Sequence, residues 1–445
     1  MRAGYGKTEI TPPLGVELAG YGYYLKRRAT RVDDPLFVRA VALEDRGRTY
    51  VVVSCDILGL NRSIVGRVRA GLLQKHAIPP SHVLIVSIHT HTAAPAIAHE
   101  GCGEVCPEYV ETLPGAILAA CEDALSDMRR VTSLRFSMGR LDGQYAYNRA
   151  AEDGPVDDCA RGFLLSRSER APIALISYAC HPVCRGRSTG VSADYPGRVC
   201  RMAEEKGVLP VYLNGLCGDI DPLTCEDGAR DARIDAFAAA ILSALTDEME
   251  LPMRVFGGEV ADEIRLLPVS REDIESAAER AASRPDAIPG ADRVARAWER
   301  EMLSKFDDLP SREPISVHYL VLGGVPVAAL PFEGFCAIGQ KIRDVLGDTR
   351  ALTLGCADEL LGYLPTRARC RRAWRVRGAG IHVPVPPPAG AARRGGAAGA
   401  RAGREAEGGT GAWMNRDFPL IRTGSCVSGA SCTRIRKSAG SSRTP

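Results

Sequence analysis

The stretch "TYVVVSCDILGLNRSIVGRVRAGLLQKHAIPPSHVLIVSIHTH", residues 49–91, decides the fold class. Its two ends, 49–58 and 81–91, are apolar and rich in β-branched residues, which is typical of buried strands. Between them, residues 63–76 place apolar side chains at helical spacing. Strands that alternate with helices in this way predict an α/β fold.

The alternation continues through the first 250 residues of the chain. Further strands are predicted at 171–182 and 209–219, and helices at 108–128 and 232–249. Together these segments predict a mixed or largely parallel sheet flanked by helices. Residues 270–307 contain two charged helical segments around a Pro/Gly break, so we expect a helical excursion from the sheet there.

The composition changes after about residue 370. In 371–410, 31 of 40 residues are Ala, Gly, Arg or Pro, and the hydrophobic periodicity is lost. Such a segment cannot bury enough apolar surface to offset its chain entropy. A natural disordered tail and a frameshifted reading of a GC-rich gene both explain this bias. We therefore expect one functional domain over 1–370 and a low-complexity tail over 371–445.

The overall composition is that of a soluble globular protein, with 45% hydrophobic and 25% charged residues. No segment approaches the roughly 20 apolar residues that span a bilayer, and the N-terminus lacks the apolar stretch of a secretory signal. The 15 cysteines show no zinc-finger spacing. These features favour reduced thiols and a cytoplasmic location.

The net charge of +3 hides an asymmetry between the two parts of the chain. Residues 371–445 carry 14 Lys and Arg against 3 Asp and Glu, so residues 1–370 are net acidic. The basic charge therefore belongs to the tail. An acidic body argues against nucleic acid as a partner.

Two histidines, His89 and His91, end the predicted strand over 81–91. Residues i and i+2 of a strand share one face, so both imidazoles can meet one ion or one substrate. Ligands of open α/β sheets bind beyond the carboxyl ends of the strands. Taken alone, however, the pair is more simply interpreted as turn histidines with local hydrogen bonds.

Other polar residues occupy equivalent places. His181 ends an apolar strand, Glu333 follows another and opens a helix, and Tyr363 lies in "LLGYLPT". Each has an ordinary structural explanation: a satisfied histidine, a helix N-terminal carboxylate and a core or rim aromatic. Asp219 and Asp221 can contact a metal, a water or only backbone amides. The shared placement at strand ends is the stronger argument, because His, His and a carboxylate form a ligand set suited to zinc.

In these motifs and their order, the chain resembles the catalytic domain of the neutral/alkaline non-lysosomal ceramidase family, and most of all its shorter bacterial ceramidase-like members. The resemblance covers about the first 370 residues in the order of the family. It rests on "GYGKTEITPPLGVELAGYG" (4–22), "DDPLFVRAVALED" (33–45), "SIHTHTAAP" (87–95), "YNRA" (147–150), "YACHPV" (178–183), "SADYPG" (192–197), "NGLCGDIDP" (214–222), "LPFEGF" (330–335) and "GYLPT" (362–366).

The resemblance implies a ceramidase-like metal-hydrolase domain over 1–370 with one zinc ion. It assigns the ion four ligands: His89, His181, Glu333 and Tyr363. It also implies that His91, near the metal, assists proton transfer and that Arg149 contacts the oxyanion or the substrate.

Three departures from the family pattern bear on the activity. Asp221 stands in "GDIDP" where ceramidases have the serine assigned to amide cleavage. Residues 369–378 contain no counterpart of a second active-site tyrosine. The immunoglobulin-like C-terminal domain and the secretory signal of ceramidases are not recognised. True ceramidase activity is therefore not expected, because an aspartate brings charge where the family has a neutral hydroxyl.

The resulting hypothesis is a zinc-dependent hydrolase of an amide, N-acyl or ester bond in a small-molecule or lipid-like substrate. His91, with Asp221, would move protons, and Arg149 would stabilise the oxyanion. One alternative is a catalytically inactive metal-binding module that keeps the fold. Another is a damaged gene product with a scrambled C-terminus.

Overall fold

A computed structural model describes the chain except for residues 23–24, 100, 224–228, 266–269, 284–290, 309–310 and 367–445. The predicted tail over 371–445 thus lies outside the described residues.

The strands are, in chain order, β1 (Arg2–Glu9), β2 (Arg31–Val32), β3 (Phe37–Asp45), β4 (Arg48–Cys55), β5 (Val83–Ser87), β6 (Arg129–Arg140), β7 (Ala146–Asn148), β8 (Cys159–Arg167), β9 (Arg170–Tyr178), β10 (Gly190–Val191), β11 (Leu209–Asn214), β12 (Ile220–Pro222), β13 (Glu248–Glu250), β14 (Val255–Arg265), β15 (Arg312–Leu322), β16 (Val325–Ala329), β17 (Glu333–Gly334), β18 (Leu352–Leu354) and β19 (Tyr363–Leu364). The helices are α1 (Arg62–His76), α2 (Pro107–Ser126), α3 (Asp194–Glu205), α4 (Arg230–Ser243), α5 (Arg271–Ala282), α6 (Ala291–Ser304) and α7 (Cys336–Leu346).

The main sheet has nine strands. Eight follow the order β11-β9-β8-β6-β1-β3-β4-β5, and β13 pairs with β6. The pairs at the two ends, β11–β9 and β4–β5, are parallel. The pairs between them are antiparallel. The predicted α/β fold with a mixed sheet is therefore confirmed.

Both faces of the main sheet are covered, and β4 shows how. Val51 and Val53 pack into the cluster under helices α1 to α4. The alternate residues Tyr50 and Val52 pack into a second cluster, shared with the four-stranded sheet β14-β15-β16-β18. Successive side chains of a strand point to opposite faces, so a strand covered on both sides is apolar throughout. This explains the continuous apolar run that the sequence shows there.

Two glycines of β1 allow α2 to approach the sheet closely. A methyl group on Gly4 would lie 1.9 Å from the carbonyl oxygen of Ala124, and one on Gly6 would lie 2.0 Å from that of Ala120. Real Cβ atoms do not approach a carbonyl oxygen this closely. Any larger residue at either position would push α2 away from the sheet.

The helical excursion predicted over 270–307 is confirmed as α5 and α6. Ser270 caps α5: its hydroxyl accepts from the backbone N–H of Asp273, whose carboxylate accepts from the backbone N–H of Ser270. The two helices share a small apolar cluster separate from the two main ones, made of Ile274, Ala277, Ala278, Trp298 and Met302. The excursion therefore has a small core of its own.

Within the described part of the chain, no helix combines the length and apolarity needed to cross a bilayer. No disulfide joins the cysteines found there, and most of them are buried. Burial raises the pKa of several of these thiols, among them Cys180 and Cys356, which keeps them protonated.

Candidate metal centre

The four predicted metal ligands come from separate segments that meet at one place. His89 follows β5 and His181 follows β9, so both come from the carboxyl ends of main-sheet strands. Glu333 and Tyr363 lie on β17 and β19, which pair in parallel with these two residues in register. Both histidines are buried, and the Glu333 side chain is nearly so. The topology thus gathers residues from four distant parts of the sequence.

The local structure at two of these residues differs from the prediction. Strand β5 ends at Ser87, and His89 has a left-handed φ of 74°. The interpretation that His89 and His91 share a strand face was therefore wrong, and a turn brings the two rings together. Left-handed φ is uncommon for residues other than glycine and is often found at functional sites. Glu333 likewise lies on β17 and does not open a helix, since α7 begins at Cys336.

Three ligand atoms converge at short distances. The Oε2 atom of Glu333 lies 3.1 Å from Nε2 of His89 and 3.2 Å from Nε2 of His181. Nε2 of His91 lies 3.4 Å from Nε2 of His89. The three histidines offer nitrogen atoms within 4.8 Å of one another, close enough to hold a metal ion. The donor set of imidazole nitrogens and a carboxylate therefore fits a divalent cation such as zinc.

The hydrogen bonds of the rings fix which nitrogen is available. Nδ1 of His89 lies 2.8 Å from the carbonyl oxygen of Leu58, and Nδ1 of His181 lies 2.7 Å from that of Cys217. A carbonyl oxygen only accepts, so each Nδ1 carries a proton, and Nε2, which is turned towards Glu333, is the nitrogen that can bind a metal ion. Protein-bound metals commonly rely on this second hydrogen bond to orient their histidines.

His91 differs from the other two histidines in this respect. Its Nδ1 is buried and has no hydrogen-bond partner in the part of the chain that the structure describes. Gly20 covers this atom, because a methyl group at Gly20 would lie 2.3 Å from it. Burial and the neighbouring His89 and His181 lower the pKa of His91 well below its usual range. The ring is therefore neutral at neutral pH and can accept a proton.

Arg149 links Asp221, His181 and Tyr363 at the site. Its guanidinium donates to the hydroxyl of Tyr363 at 3.0 Å, to the carbonyl oxygen of Gly218 at 2.9 Å and to Oδ1 of Asp221 at 3.2 Å. It also lies 3.3 Å from Nε2 of His181, a contact that needs the lone pair of that nitrogen. The guanidinium is thus engaged by groups of the chain itself.

The charges of the site follow from these contacts. Burial opposes ionisation of Glu333, but His89 and His181 outweigh it and hold its pKa well below the usual range. Burial, reinforced by Arg149, lowers the pKa of His181. Burial also raises the pKa of Tyr363 well above its usual value, so the phenol stays neutral and can donate to Glu333. The site thus combines an ionised carboxylate with a neutral phenol.

The two aspartates of "GDIDP" have different surroundings. The carboxylate of Asp219 accepts from the backbone N–H of Cys336 at 2.7 Å and from the amide of Asn148 at 2.8 Å. Its role is therefore to hold the chain around the site. Asp221 is partly exposed and forms an ion pair with Arg149 at the site. Of the two, only Asp221 is placed to meet a substrate.

Sequence reasoning missed one histidine near the centre. His99 lies in the loop before α2, close enough for Glu333 and His89 to affect its pKa through charge interactions. Burial lowers its pKa, so this ring is also neutral. No periodicity or motif distinguishes His99 in the sequence. Only the folded loop brings it towards the site.

Comparison with known proteins places the fold. A scan against models of protein families found no match, and a search of curated proteins found no similar sequence. Among solved structures, the neutral ceramidase from Pseudomonas aeruginosa matches with a TM-score of 0.63 and 16% identity, over 83% of this chain and 69% of that one. A ceramidase in complex with C2 matches with a TM-score of 0.64 and 17% identity, over 83% and 70%. The chain therefore has the fold of the neutral ceramidases.

Proposed function

We propose that residues 1–370 form a zinc-dependent hydrolase that cleaves an amide, N-acyl or ester bond in a small-molecule or lipid-like substrate. The observation that carries this proposal is the convergence of two imidazole nitrogens, Nε2 of His89 and Nε2 of His181, on the ionised carboxylate of Glu333. A cation bound there would use the lone pairs of both Nε2 atoms and would offset the buried charge of Glu333.

The assigned ligands are His89, His181, Glu333 and Tyr363. A bound zinc ion supplies Lewis acidity, which lowers the pKa of a water molecule and polarises a carbonyl oxygen. Tyr363, held by Arg149, completes the set as a neutral oxygen donor. Arg149 in turn orients Tyr363, whereas its contact with Nε2 of His181 uses the lone pair that a bound ion would take.

His91 is the proton carrier in this proposal. Attack of a water oxygen on the carbonyl carbon forms a C–O bond and breaks the bond to the leaving nitrogen or oxygen. The proton released from the water passes to His91, which is neutral and buried at the centre. His91 then gives that proton to the leaving group. Among the described residues its Nδ1 lacks the carbonyl partner that orients a ligand histidine, which favours this role over that of a third imidazole ligand.

Asp221 distinguishes this site from one with a neutral hydroxyl. Its carboxylate lies against Arg149 and offers oxygen acceptors, so it can hold a donor group of the substrate. The same ion pair favours the alternative function, an inactive metal-binding module, because it engages both side chains without a substrate.

Purified protein tested on a panel of N-acyl amides, acyl esters and ceramides decides between the two. We expect hydrolysis of at least one N-acyl or ester substrate, its loss after treatment with a chelator and its recovery on adding zinc. Failure to cleave any substrate while zinc stays bound would support the inactive module. Hydrolysis that survives complete removal of the metal would contradict the proposal.

A further inference from the structure

A turn at residues 192–194, which ends at the first residue of α3, contacts the segments of the candidate centre and takes no part in the chemistry proposed above. Its residues, Ser192 and Asp194, are both buried. The turn leads into α3 and contacts the two segments that carry His89 and His181. It is therefore placed to act on both histidines at once.

The first set of contacts reaches the segment after β5, which carries His89 and His91. The carbonyl oxygen of Ser192 accepts from the hydroxyl of Thr90 at 2.8 Å and from that of Thr92 at 2.9 Å. The backbone N–H of Ser192 donates to the carbonyl oxygen of Thr92 at 3.1 Å. These threonines alternate with the two histidines, so the turn fixes the backbone from which both imidazoles extend.

The second set reaches the segment after His181. The carboxylate of Asp194 accepts from the backbone N–H of Cys184 at 3.1 Å and from that of Arg185 at 2.8 Å. It also accepts from the N–H of Tyr195 at 2.8 Å, at the start of α3. One buried side chain thus satisfies three backbone donors, two of which belong to the loop that follows His181.

Keeping Asp194 in this position costs stability. Its φ is 56°, in the left-handed region, and its side chain is removed from water. Asn and Asp tolerate left-handed backbone better than most residues, whereas glycine adopts it freely. The three backbone hydrogen bonds that the carboxylate accepts offset these two costs.

We propose that Asp194 is a positioning residue that holds the segments of His89 and His181 at the separation needed to bind one metal ion. The inference rests on the metal centre of the proposed function, but it does not depend on the reaction. It concerns the shape of the centre before a metal binds. Loss of the three hydrogen bonds would let the two segments move independently.

Two substitutions separate the carboxylate from the backbone conformation. Asp194→Gly keeps the left-handed φ without strain and removes all three acceptor contacts. Asp194→Asn keeps the side-chain oxygen that accepts from the backbone N–H groups of Cys184 and Tyr195. It replaces the oxygen that accepts from Arg185 by an NH₂ group, which cannot accept. Asp127→Asn is the matched control, because Asp127 also accepts a backbone N–H, from Tyr5, and pairs with Arg167 away from the centre.

The test measures the zinc dissociation constant by competition with a chromophoric chelator, and amide hydrogen exchange of residues 88–95 and 180–186 in the metal-free protein. Removing an outer-shell partner typically weakens metal binding about 10- to 100-fold. We expect zinc affinity to fall about 100-fold in Asp194→Gly and about 10-fold in Asp194→Asn, and to stay unchanged in Asp127→Asn. Both segments should exchange faster in the two Asp194 variants alone.

Several outcomes overturn the inference. Zinc binding and exchange in both Asp194 variants that match the wild type, or that change no more than in the control, would show that the carboxylate does not position the centre. A wild type that binds no zinc would overturn this inference and the proposed function together. A wild type that binds zinc without hydrolysing any substrate would overturn only the proposed function. If Asp194→Gly does not fold, Asp194→Asn alone decides the question.

Discussion

Two buried clusters in this molecule place a histidine against a carboxylate, and they do so in opposite ways. At the candidate centre, His89 and His181 each donate a hydrogen bond from Nδ1 to a carbonyl oxygen, and Nε2 of each ring points towards Glu333. In the second cluster, His318 of β15 has Nδ1 2.8 Å from Asp358 and Nε2 3.6 Å from Glu259. Both of its nitrogens therefore face carboxylates.

The protonation of the two clusters differs accordingly. Burial, strengthened by Arg149, lowers the pKa of His181. Burial also opposes the charge on His318, but Asp358 and Glu259 outweigh it and raise the pKa of His318. Arg69 completes that cluster with a contact of 2.9 Å to Asp358. The result is a charge network that ties α1 to the second sheet.

The comparison teaches that the groups facing the two ring nitrogens decide what a buried histidine does. A carbonyl on one side and a shared carboxylate on the other leave a lone pair for a metal. Carboxylates on both sides make an imidazolium that links elements of the fold. Neither the residue type nor the burial distinguishes the two cases.

Replacing Glu333 should have the largest effect. Glu333→Gln removes the charge on which the lone pairs of His89 and His181 converge, so zinc affinity should fall by more than the roughly 100-fold typical of an outer-shell change. His318→Leu should leave zinc affinity unchanged. Competition with a chelator measures both variants. Equal zinc affinity in Glu333→Gln and the wild type would remove Glu333 from the ligand set.

Replacing His318 should instead act on stability. His318→Leu removes the imidazole that pairs with Asp358 and Glu259 and leaves them Arg69 alone. Breaking a buried pair in this way typically costs about 3 kcal/mol or more. Urea denaturation gives the free energy of unfolding. A loss below about 1 kcal/mol, the usual worth of an exposed pair, would mean that the cluster is not a buried charge network.

Tyr363→Phe should have a smaller effect than either. The change removes the hydroxyl that accepts from Arg149, but it keeps the ring and leaves the other three ligands. We expect zinc affinity to fall about 10-fold, at the low end of the outer-shell range. An unchanged affinity, measured in the same competition assay, would mean that Tyr363 serves the substrate or the fold and is not a ligand.

The smallest predicted effect is on the pH dependence of the metal-free protein. The pKa of His318 is raised above 6.5, so its stabilisation is complete below pH 6.5 and is lost as the pH rises through the folded-state pKa. The pKa of His181 is lowered, so its effect has the opposite sign and removes stability as the pH falls below 6.5. Each slope is at most about 1.4 kcal/mol per pH unit.

Urea denaturation from about pH 5 to about pH 8 tests both signs. His318→Leu should abolish the decline on the alkaline side, and His181→Ala should reduce the decline on the acidic side. The interpretation of the two clusters would be wrong if His318→Leu left the alkaline side unaltered.

Much of this architecture could be predicted from the sequence. The apolar runs around Val51 and Val83 indicated buried strands, and the helical spacing of 63–76 indicated α1. These signals are local, because a strand covered on both faces must be apolar along its whole length. The separate sheet that covers the second face was not predicted, since pairing between distant strands leaves no local pattern.

The candidate site was predicted in part, for a physical reason. His89, His91 and His181 were expected near one another, and the structure brings them within reach of one ion. A turn was the simpler interpretation of the pair taken alone, but the left-handed φ of His89 was not predicted, because in a residue other than glycine it has no sequence signature. His99 and the hydrogen bonds of Asp194 were missed as well, because they depend on tertiary contacts alone.

The most direct test of the central claim is the zinc content of the purified protein after exhaustive dialysis, measured together with that of His89→Ala/His181→Ala. A His76→Ala/His82→Ala variant is the control, because these two histidines lie outside the centre, with His82 stacked on Tyr50. We predict one zinc ion per chain in the wild type and the control and none in the His89→Ala/His181→Ala variant. Equal zinc in all three proteins, or none in the wild type, would contradict the assignment of His89, Glu333 and His181 as a metal centre.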